Sequence, residues 1–303
     1  MTLLFYFFIF PGFLFTAIAG MLAGWVDRKV TARIQWRVGP PWYQNFADFV
    51  KLLGKETIVP QGAKWTFLFA PFLGLTAVTL VATLLGVSFL KPETSFLGDL
   101  IVVLYLLIIP ALAVILGASA SANPLASIGA SREMKLVLGY ELPFILAVLV
   151  VVVKTHGQLR LGEILNYQAV HGSHWFAPSG IMAFLVAIFC MQAKLGYVPF
   201  DMAEAEQEIM AGSYIEYSGL LLAIFKLTRQ MLLIVLPVFL ICLFWGHTMN
   251  FWWMILKYVV LLVAIILIKN TNPRLRIDQA LRFFWGPMTF LAIIALGLAL
   301  LGK

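Results

Sequence analysis

Residues 219–245 read GLLLAIFKLTRQMLLIVLPVFLICLFW, an apolar run with polar side chains only at Lys226, Thr228, Arg229 and Gln230. A helix needs about 20 residues to cross the hydrocarbon core of a bilayer, and this run exceeds that. Its apolar residues are continuous instead of alternating every second position, the mark of a helix and not of a barrel strand. Working outward, comparable runs lie at Leu3 to Trp25, Trp65 to Leu90, Phe96 to Gly117 and Leu136 to Val153. Ile181 to Ala193, continuing to Phe200, then Phe251 to Ile268 and Phe284 to Leu301 complete the set. The expected fold is all-α, a polytopic integral membrane protein with about eight transmembrane helices. Composition agrees, with 62% hydrophobic and 12% charged residues against roughly 25% charged in soluble domains. No linker or low-complexity tract divides residues 1–303, so a single membrane domain is expected. The first run lacks the basic n-region and small-residue cleavage site of a signal peptide and is expected to remain as the first helix.

Basic residues orient the bundle. Arg28, Lys29, Arg33, Arg37, Lys51, Lys55 and Lys64 fall in the first loop, and Arg132, Lys135, Lys194, Lys269, Arg274, Arg276 and Arg282 follow on the same side. Only Lys91, Lys154, Arg160 and Lys303 fall on the other. The bias makes the first side cytoplasmic and both termini external, in a cytoplasmic membrane. The net charge of +7 then reads as topology and lipid contact, not nucleic acid.

The first cytoplasmic loop, Val26 to Lys64, carries two amphipathic stretches. Lys29, Arg33 and Arg37 recur every fourth residue beside Val26, Val30 and Ile34. After Gly39-Pro40-Pro41, Phe46, Phe49, Val50 and Leu53 follow helical spacing while Asp48, Lys51 and Lys55 face away, the pattern of an interfacial helix. The basic residues either anchor this loop to anionic lipid or form a platform for a peripheral subunit.

Ionisable residues inside apolar runs are costly, about 2.5 to 3.5 kcal/mol each at mid-bilayer. Glu141 is the clearest, since its side chain is shorter than those that snorkel well. Lys226, Arg229 and Lys257 also fall inside runs, where long side chains either snorkel or complete a buried polar path. A second concentration of charge is Asp201, Glu204, Glu206, Glu208 and Glu216. Asp201 suits an N-cap after Pro199, and Glu204 its capping-box partner. Asp201, Glu204 and Glu208 would share one face of a continuous helix, where neighbouring carboxylates could exchange protons.

Cys190 and Cys242 lie within spans and form no CxxC pair, so no zinc or iron-sulfur site is expected in this chain. His156, His171, His174 and His247 fall in or beside external loops and read as solvated residues. Any electron carriers must belong to partners.

Asp27-Arg28-Lys29-Val30 through Arg37-Val38-Gly39-Pro40, then Phe46-Ala47-Asp48 to Lys55-Glu56, resemble the first loop of the NuoH-type family. That family is subunit 1 of respiratory-chain NADH dehydrogenase, which joins the peripheral arm of complex I to its ion-pumping arm. Arg132 followed by Tyr140-Glu141, and Pro199-Phe200-Asp201 through Glu206 to Gly212 and Glu216-Tyr217-Ser218, resemble further family motifs. Ala130-Ser131-Arg132-Glu133, residues 199–208 and Asn270 to Gln279 are most similar to the membrane connector of formate-hydrogenlyase-type and energy-converting (Ech-type) group 4 NiFe hydrogenases. Complex I subunits usually carry Glu-Thr-Asn-Arg-Pro-Pro-Phe-Asp where this chain has Lys194-Leu195-Gly196-Tyr197-Val198-Pro199-Phe200-Asp201.

The resemblance implies a subunit with no redox centre of its own, coupling ferredoxin-driven hydrogen formation to proton or sodium translocation. Implied partners are hydrogenase large and small subunits, a ferredoxin-like iron-sulfur subunit and an antiporter-like membrane subunit, which would hold the 4Fe-4S clusters and the NiFe centre. Glu141, Asp201, Glu204, Glu206, Glu208, Glu216, Lys226, Arg229 and Lys257 would form the ion-coupling path. Arg28, Lys29, Arg33, Arg37, Asp48, Lys51, Arg132, Glu133, Arg274 and Arg276 would dock partners. A quinone-site subunit of a complex I-like dehydrogenase, a passive membrane anchor for a soluble hydrogenase and a lone secondary transporter are the alternatives.

Overall fold

The computed structural model describes residues 2–60, 64–204, 206–246 and 250–302, and these form helices with no strand among them. Seven stretches are long and apolar enough to cross a membrane: Leu4–Ile34, Trp65–Leu90, Asp99–Ala120, Pro124–Lys154, Gly219–Phe244, Trp252–Thr271 and Ile277–Leu300. An eighth apolar helix, Pro178–Lys194, has 17 residues, about 25 Å at 1.5 Å per residue and so shorter than a hydrocarbon core. The all-helical membrane fold read from the sequence is the fold observed.

The expected continuation of the Ile181 run to Phe200 is not. Helix α9 (Pro178–Lys194) stops in a Schellman turn: Tyr197 N donates to Gln192 O and Gly196 N to Ala193 O, with Gly196 left-handed at φ +61°. Glycine takes that left-handed step without strain, and the turn presents Lys194 and Tyr197 beside the following acidic segment.

Helix α2 (Phe13–Ile34) also departs from expectation, running on past Trp25. Nothing between Trp25 and Ile34 breaks a helix, so the basic stripe of Arg28, Lys29 and Arg33 extends a membrane span instead of forming a loop. The chain turns only at Trp36 and Gly39, both at positive φ. The interfacial helix does form, as α3 (Gln44–Leu53). It is fastened by buried Asn45, whose Nδ2 donates to Met21 O at 2.7 Å and whose Oδ1 accepts from Arg28 at 2.8 Å. Phe46 and Phe49 pack on the core, while Val50 and Leu53 stay exposed.

Helix α7 (Pro124–Lys154) begins twelve positions ahead of the run read at Leu136. Asn123 caps it by accepting from Leu125 N at 2.9 Å, with Pro124 at the first helical position. Arg132, Glu133 and Lys135 therefore ride on this helix, not in a loop, and Glu141 sits near its middle. The third span is split into α5 (Asp99–Leu106) and α6 (Ile109–Ala120), the break falling just before Pro110.

The stretch 219–244 is α11, the most enclosed helix, with 78% of its most apolar window buried. It packs against α2, α4 (Lys64–Leu90), α9 and α12 (Phe251–Thr271). Gly20 and Gly24 let α2 approach it closely: a Cβ on Gly20 would lie 2.5 Å from the carbonyl oxygen of Gln230. Since that obstacle is backbone, Gly20→Val should destabilise the bundle by about 1–3 kcal/mol as overpacking does. A lowered melting temperature in detergent checks it.

The two ends of the bundle differ. Lys91 lies 5.9 Å from the Tyr6 ring, and Lys154 and Gly302 line one hollow, so both chain ends share one side. Asp27, Lys194, Asp201, Lys269 and Arg274 gather at the other.

Candidate functional site

The deepest charge at that second end is a pair between α7 and α9. Lys194 Nζ lies 2.7 Å from Glu141 Oε2, with side-chain exposures of 2% and 15%. The ammonium also sits 4.8 Å from the ring centres of both Tyr140 and Phe144, whose π faces attract a desolvated cation. The other Glu141 oxygen, Oε1, is buried without a hydrogen-bond partner among the described residues.

Arg229 of α11 forms the next layer. Its guanidinium donates to Leu195 O at 3.0 Å, to Gly196 O and to Glu204 Oε2, using the planar fork to hold the turn after α9. It also lies 5.0 Å from the Tyr197 ring, whose surroundings include Lys269 Nζ at 4.6 Å. Lys269 in turn reaches buried Asp27 at 2.8 Å. Burial, and then the nearby Asp27 carboxylate, push the Tyr197 phenol up, so it stays neutral between two cations.

A crevice of about 580 Å³ opens here between α2, α3, α11 and α12, with Asp27, Asp48, Tyr197, Lys226, Arg229 and Arg274 in its wall. Asp48 accepts from Gln44 at 2.8 Å and Arg28 at 3.1 Å. Burial alone would raise its carboxyl, but these two bonds and the Arg28 charge hold it below the usual range. Behind Arg229 and Glu204 lies a hollow of about 60 Å³ that touches Glu133, Tyr140, Lys194 and Tyr214, room for a few waters at about 10–15 Å³ each. The Arg229–Glu204 pair thus stands between the open crevice and the Lys194–Glu141 pair. Such a line of ion pairs can move charge by exchanging partners or protons.

The acidic segment is not one helical face. Met202–Glu204 is a 3₁₀ turn and Glu206–Ile209 a short helix, and three arginines divide the acids between them. Asp201 takes a bidentate pair with Arg274, Glu204 pairs with Arg229, and Glu208 with Arg132. Asp201 is no side-chain N-cap, because only its backbone carbonyl accepts from Glu204 N. The three carboxylates are therefore held apart by their arginines instead of lying side by side on one helical face. Glu216 accepts from Asn123 at 2.6 Å. Ala205, the Glu206 side chain and His247 lie outside the described residues.

Lys257 is also misplaced in the expected path. It lies at the opposite end of the bundle, where the side chain is buried and Nζ donates to Trp245 O at 2.5 Å. Lys226 is exposed in the crevice. Among the expected docking residues, Arg28, Arg132 and Arg274 are engaged in internal pairs and Glu133 faces the inner hollow, while Arg33, Arg37, Lys51 and Arg276 are exposed and Lys29 is half-buried. Sequence reasoning missed Asp27 and Lys269 as a pair and Lys194 as the partner of Glu141. An acid on a membrane span next to Arg28 was a usable signal for the first; nothing local encoded the second.

The histidines also differ from expectation: His156 and His171 are exposed, but His174 is 6% exposed. Burial, then the Lys154 charge, push it down to about 4 from 6.5. A depressed histidine stabilises the fold fully above the unfolded value and loses that contribution as pH falls. Stability should therefore decline between pH 6.5 and 4 by about 3 kcal/mol in wild type. His174→Gln should flatten that part of a melting-temperature profile.

The sequence profile of the NADH dehydrogenase family matches residues 7–300, a range that takes in every element of this charged end. The chain belongs to this family. It is 34% identical to NADH-quinone oxidoreductase subunit 8 of Thermus thermophilus, over 93% of this chain and 81% of that protein. It is 32% identical to formate hydrogenlyase subunit 4 of Escherichia coli, over 92% of this chain and 94% of that one. Among solved structures, a chain of the membrane-bound sulfane sulfur reductase, an archaeal respiratory membrane complex, superposes with a TM-score of 0.84 at 29% identity. That match covers 94% of this chain and 96% of the other. These family members are subunits of multisubunit membrane complexes, and this chain is a multi-pass membrane subunit of the same complex I-like kind.

Proposed function

We propose that this chain is the membrane connector of an energy-converting NiFe hydrogenase, coupling ferredoxin-driven hydrogen formation to outward movement of protons or sodium ions. The observation that carries the reading is the Lys194–Glu141 pair. Complex I relatives usually have glutamate where Lys194 stands, which would put a second acid against Glu141 in place of a cation. With Tyr197 in place of arginine, the turn after α9 is instead built around an aromatic between two cations. Both departures speak for the hydrogenase branch over a quinone site, and formate hydrogenlyase subunit 4 supports the same branch.

In this reading the end bearing Arg33, Arg37, Lys51 and Arg276 faces the cytoplasm and receives the cluster-bearing partner. Partners hold the 4Fe-4S clusters and the NiFe centre, and an antiporter-like subunit continues the ion path. A change of charge on the nearest partner cluster alters the field at the crevice. It acts on the bundle only through a difference in free energy between two pairings of Glu204, Arg229, Lys194 and Glu141. A second reading, connector of a sulfur-reducing respiratory complex, is favoured by the sulfane sulfur reductase superposition.

Mild-detergent purification, mass spectrometry of the co-purifying chains and measurement of nickel and iron decide between them. Nickel with hydrogenase subunits is the expected result. Iron and partner subunits without nickel would overturn the hydrogenase assignment in favour of the second reading or the dehydrogenase branch.

A further inference from the structure

At the end of the bundle that carries both termini, two adjoining hollows stand apart from the ion-pair line. One, of about 510 Å³, has Lys154, Tyr167, His171, Ser173 and His174 in its wall. The other, of about 400 Å³, is a groove walled by Trp245, Trp253, Leu256, Lys257 and Val260. Ser173 and Phe176 belong to both, so the hollows adjoin.

Their chemistry is divided. Among the described residues, no aspartate or glutamate lines either one. Lys154, half-buried at the end of α7, forms no ion pair among the described residues. The ring of His174, which is 6% exposed, is one wall of the first hollow, and its Nε2 is buried without a hydrogen-bond partner among the described residues. Ala177, which precedes the first residue of α9, lines the same hollow and brings the positive end of that helix toward it. The groove is apolar by contrast. Trp253, Leu256 and Val260 share one face of α12 and are 52%, 50% and 47% exposed, making an exposed apolar strip about 10 Å tall at helical rise.

An unpaired cation and an unpartnered buried ring nitrogen at the head of an exposed apolar groove fit an amphiphile with an anionic head. We propose that the two hollows together bind one anionic phospholipid, its phosphate beside Lys154 and Ser173 and a hydrocarbon chain along Trp245, Trp253, Leu256 and Val260. Lys257, held on Trp245 O, adds positive field without being needed as a direct ligand. Free phosphate would share the headgroup contacts but has nothing to place in the groove, and that difference separates the two sources.

The test uses the full chain, with whatever subunits co-purify, stripped of lipid in detergent and followed by native mass spectrometry. Phosphatidylglycerol, phosphatidylcholine and inorganic phosphate are the probes. One tightly held phosphatidylglycerol per chain is expected, with phosphatidylcholine held more weakly. Lys154→Gln should weaken phosphatidylglycerol binding about fivefold, the equivalent of roughly 1 kcal/mol per basic residue at a membrane surface. Trp253→Ala should weaken it as well. Lys91→Gln removes a cation at the same end but outside the hollows and should change nothing. Equal binding of the two lipids, or unchanged binding in Lys154→Gln, would overturn the proposal. So would displacement of the lipid by inorganic phosphate together with an unaltered Trp253→Ala, which would mark an anion site without a lipid. Lys154 is half-exposed, so its variant should fold, and an unchanged gel-filtration profile checks this.

Discussion

Lys194→Gln is expected to lower the melting temperature sharply and to abolish ion pumping, whereas Glu141→Gln should spare more of the stability and lose the pumping all the same. The asymmetry follows from the geometry. Removing the ammonium leaves both oxygens of Glu141 in the bundle without a cation, and Oε1 has no partner among the described residues even in wild type. Breaking a buried pair from one side costs about 3–5 kcal/mol because the remaining charge is uncompensated. In Glu141→Gln the amide oxygen still accepts from Lys194, and the ammonium keeps the faces of Tyr140 and Phe144. What that variant cannot do is take up or release a proton. If the complex is the hydrogenase proposed above, its artificial-donor activity would need only the partner subunits and should remain close to wild type in both variants wherever the complex assembles. The double variant Glu141→Gln/Lys194→Gln separates structure from function. Removing both charges leaves neither one uncompensated, and the two amides can hydrogen-bond each other, so its melting temperature should recover part of the loss while ferredoxin-driven ion uptake into vesicles stays at least about tenfold down, an increase of roughly 1.4 kcal/mol in the barrier. Wild-type ion uptake in the double variant would make the pair a structural fastening and the chain a passive anchor.

The spans were legible because crossing a bilayer is a demand on local composition: each run carries its own evidence of length and polarity. The helix at Gln44–Leu53 was legible for the same reason, its apolar spacing following a Gly-Pro-Pro break. The extension of α2 to Ile34 and the early start of α7 were harder, since charged turns at a membrane surface look like loops when read against hydropathy alone. Asn123-Pro124 was an available signal for α7, a cap followed by proline at the first position. The pairings were not legible at all. Asp27 and Lys269 lie on helices far apart in the chain, and the fates of Asp201, Glu204 and Glu208 depend on arginines supplied by α7, α11 and the segment after α12. The departures at Lys194 and Tyr197 could be seen against the family run. That they fill an ion pair and a cation–aromatic contact needed the tertiary arrangement.

Tyr197→Arg, which restores the residue usual in complex I relatives, should be among the most damaging single changes at the crevice. The tyrosine ring lies 5.0 Å from the Arg229 guanidinium and 4.6 Å from the Lys269 ammonium, so an arginine there meets two like charges. At an effective dielectric of about 20, each such encounter near 5 Å costs about 3 kcal/mol before rearrangement, and the acids nearest to offset it, Asp27 and Glu204, already have cations. Tyr197→Phe keeps the ring and should behave as wild type. Arg229→Lys should resemble Tyr197→Arg in its loss, because one ammonium cannot reproduce the fork that reaches Leu195 O, Gly196 O and Glu204 together. The turn after α9 would then loosen, and Glu204 would lose the bond that sets it between the crevice and the inner hollow. Melting temperature, recovery of the assembled complex and ion uptake should rank wild type and Tyr197→Phe together, with Tyr197→Arg and Arg229→Lys far below. If Tyr197→Arg assembles and pumps like wild type, the aromatic is not what organises this turn, and the residue ceases to argue for the hydrogenase branch.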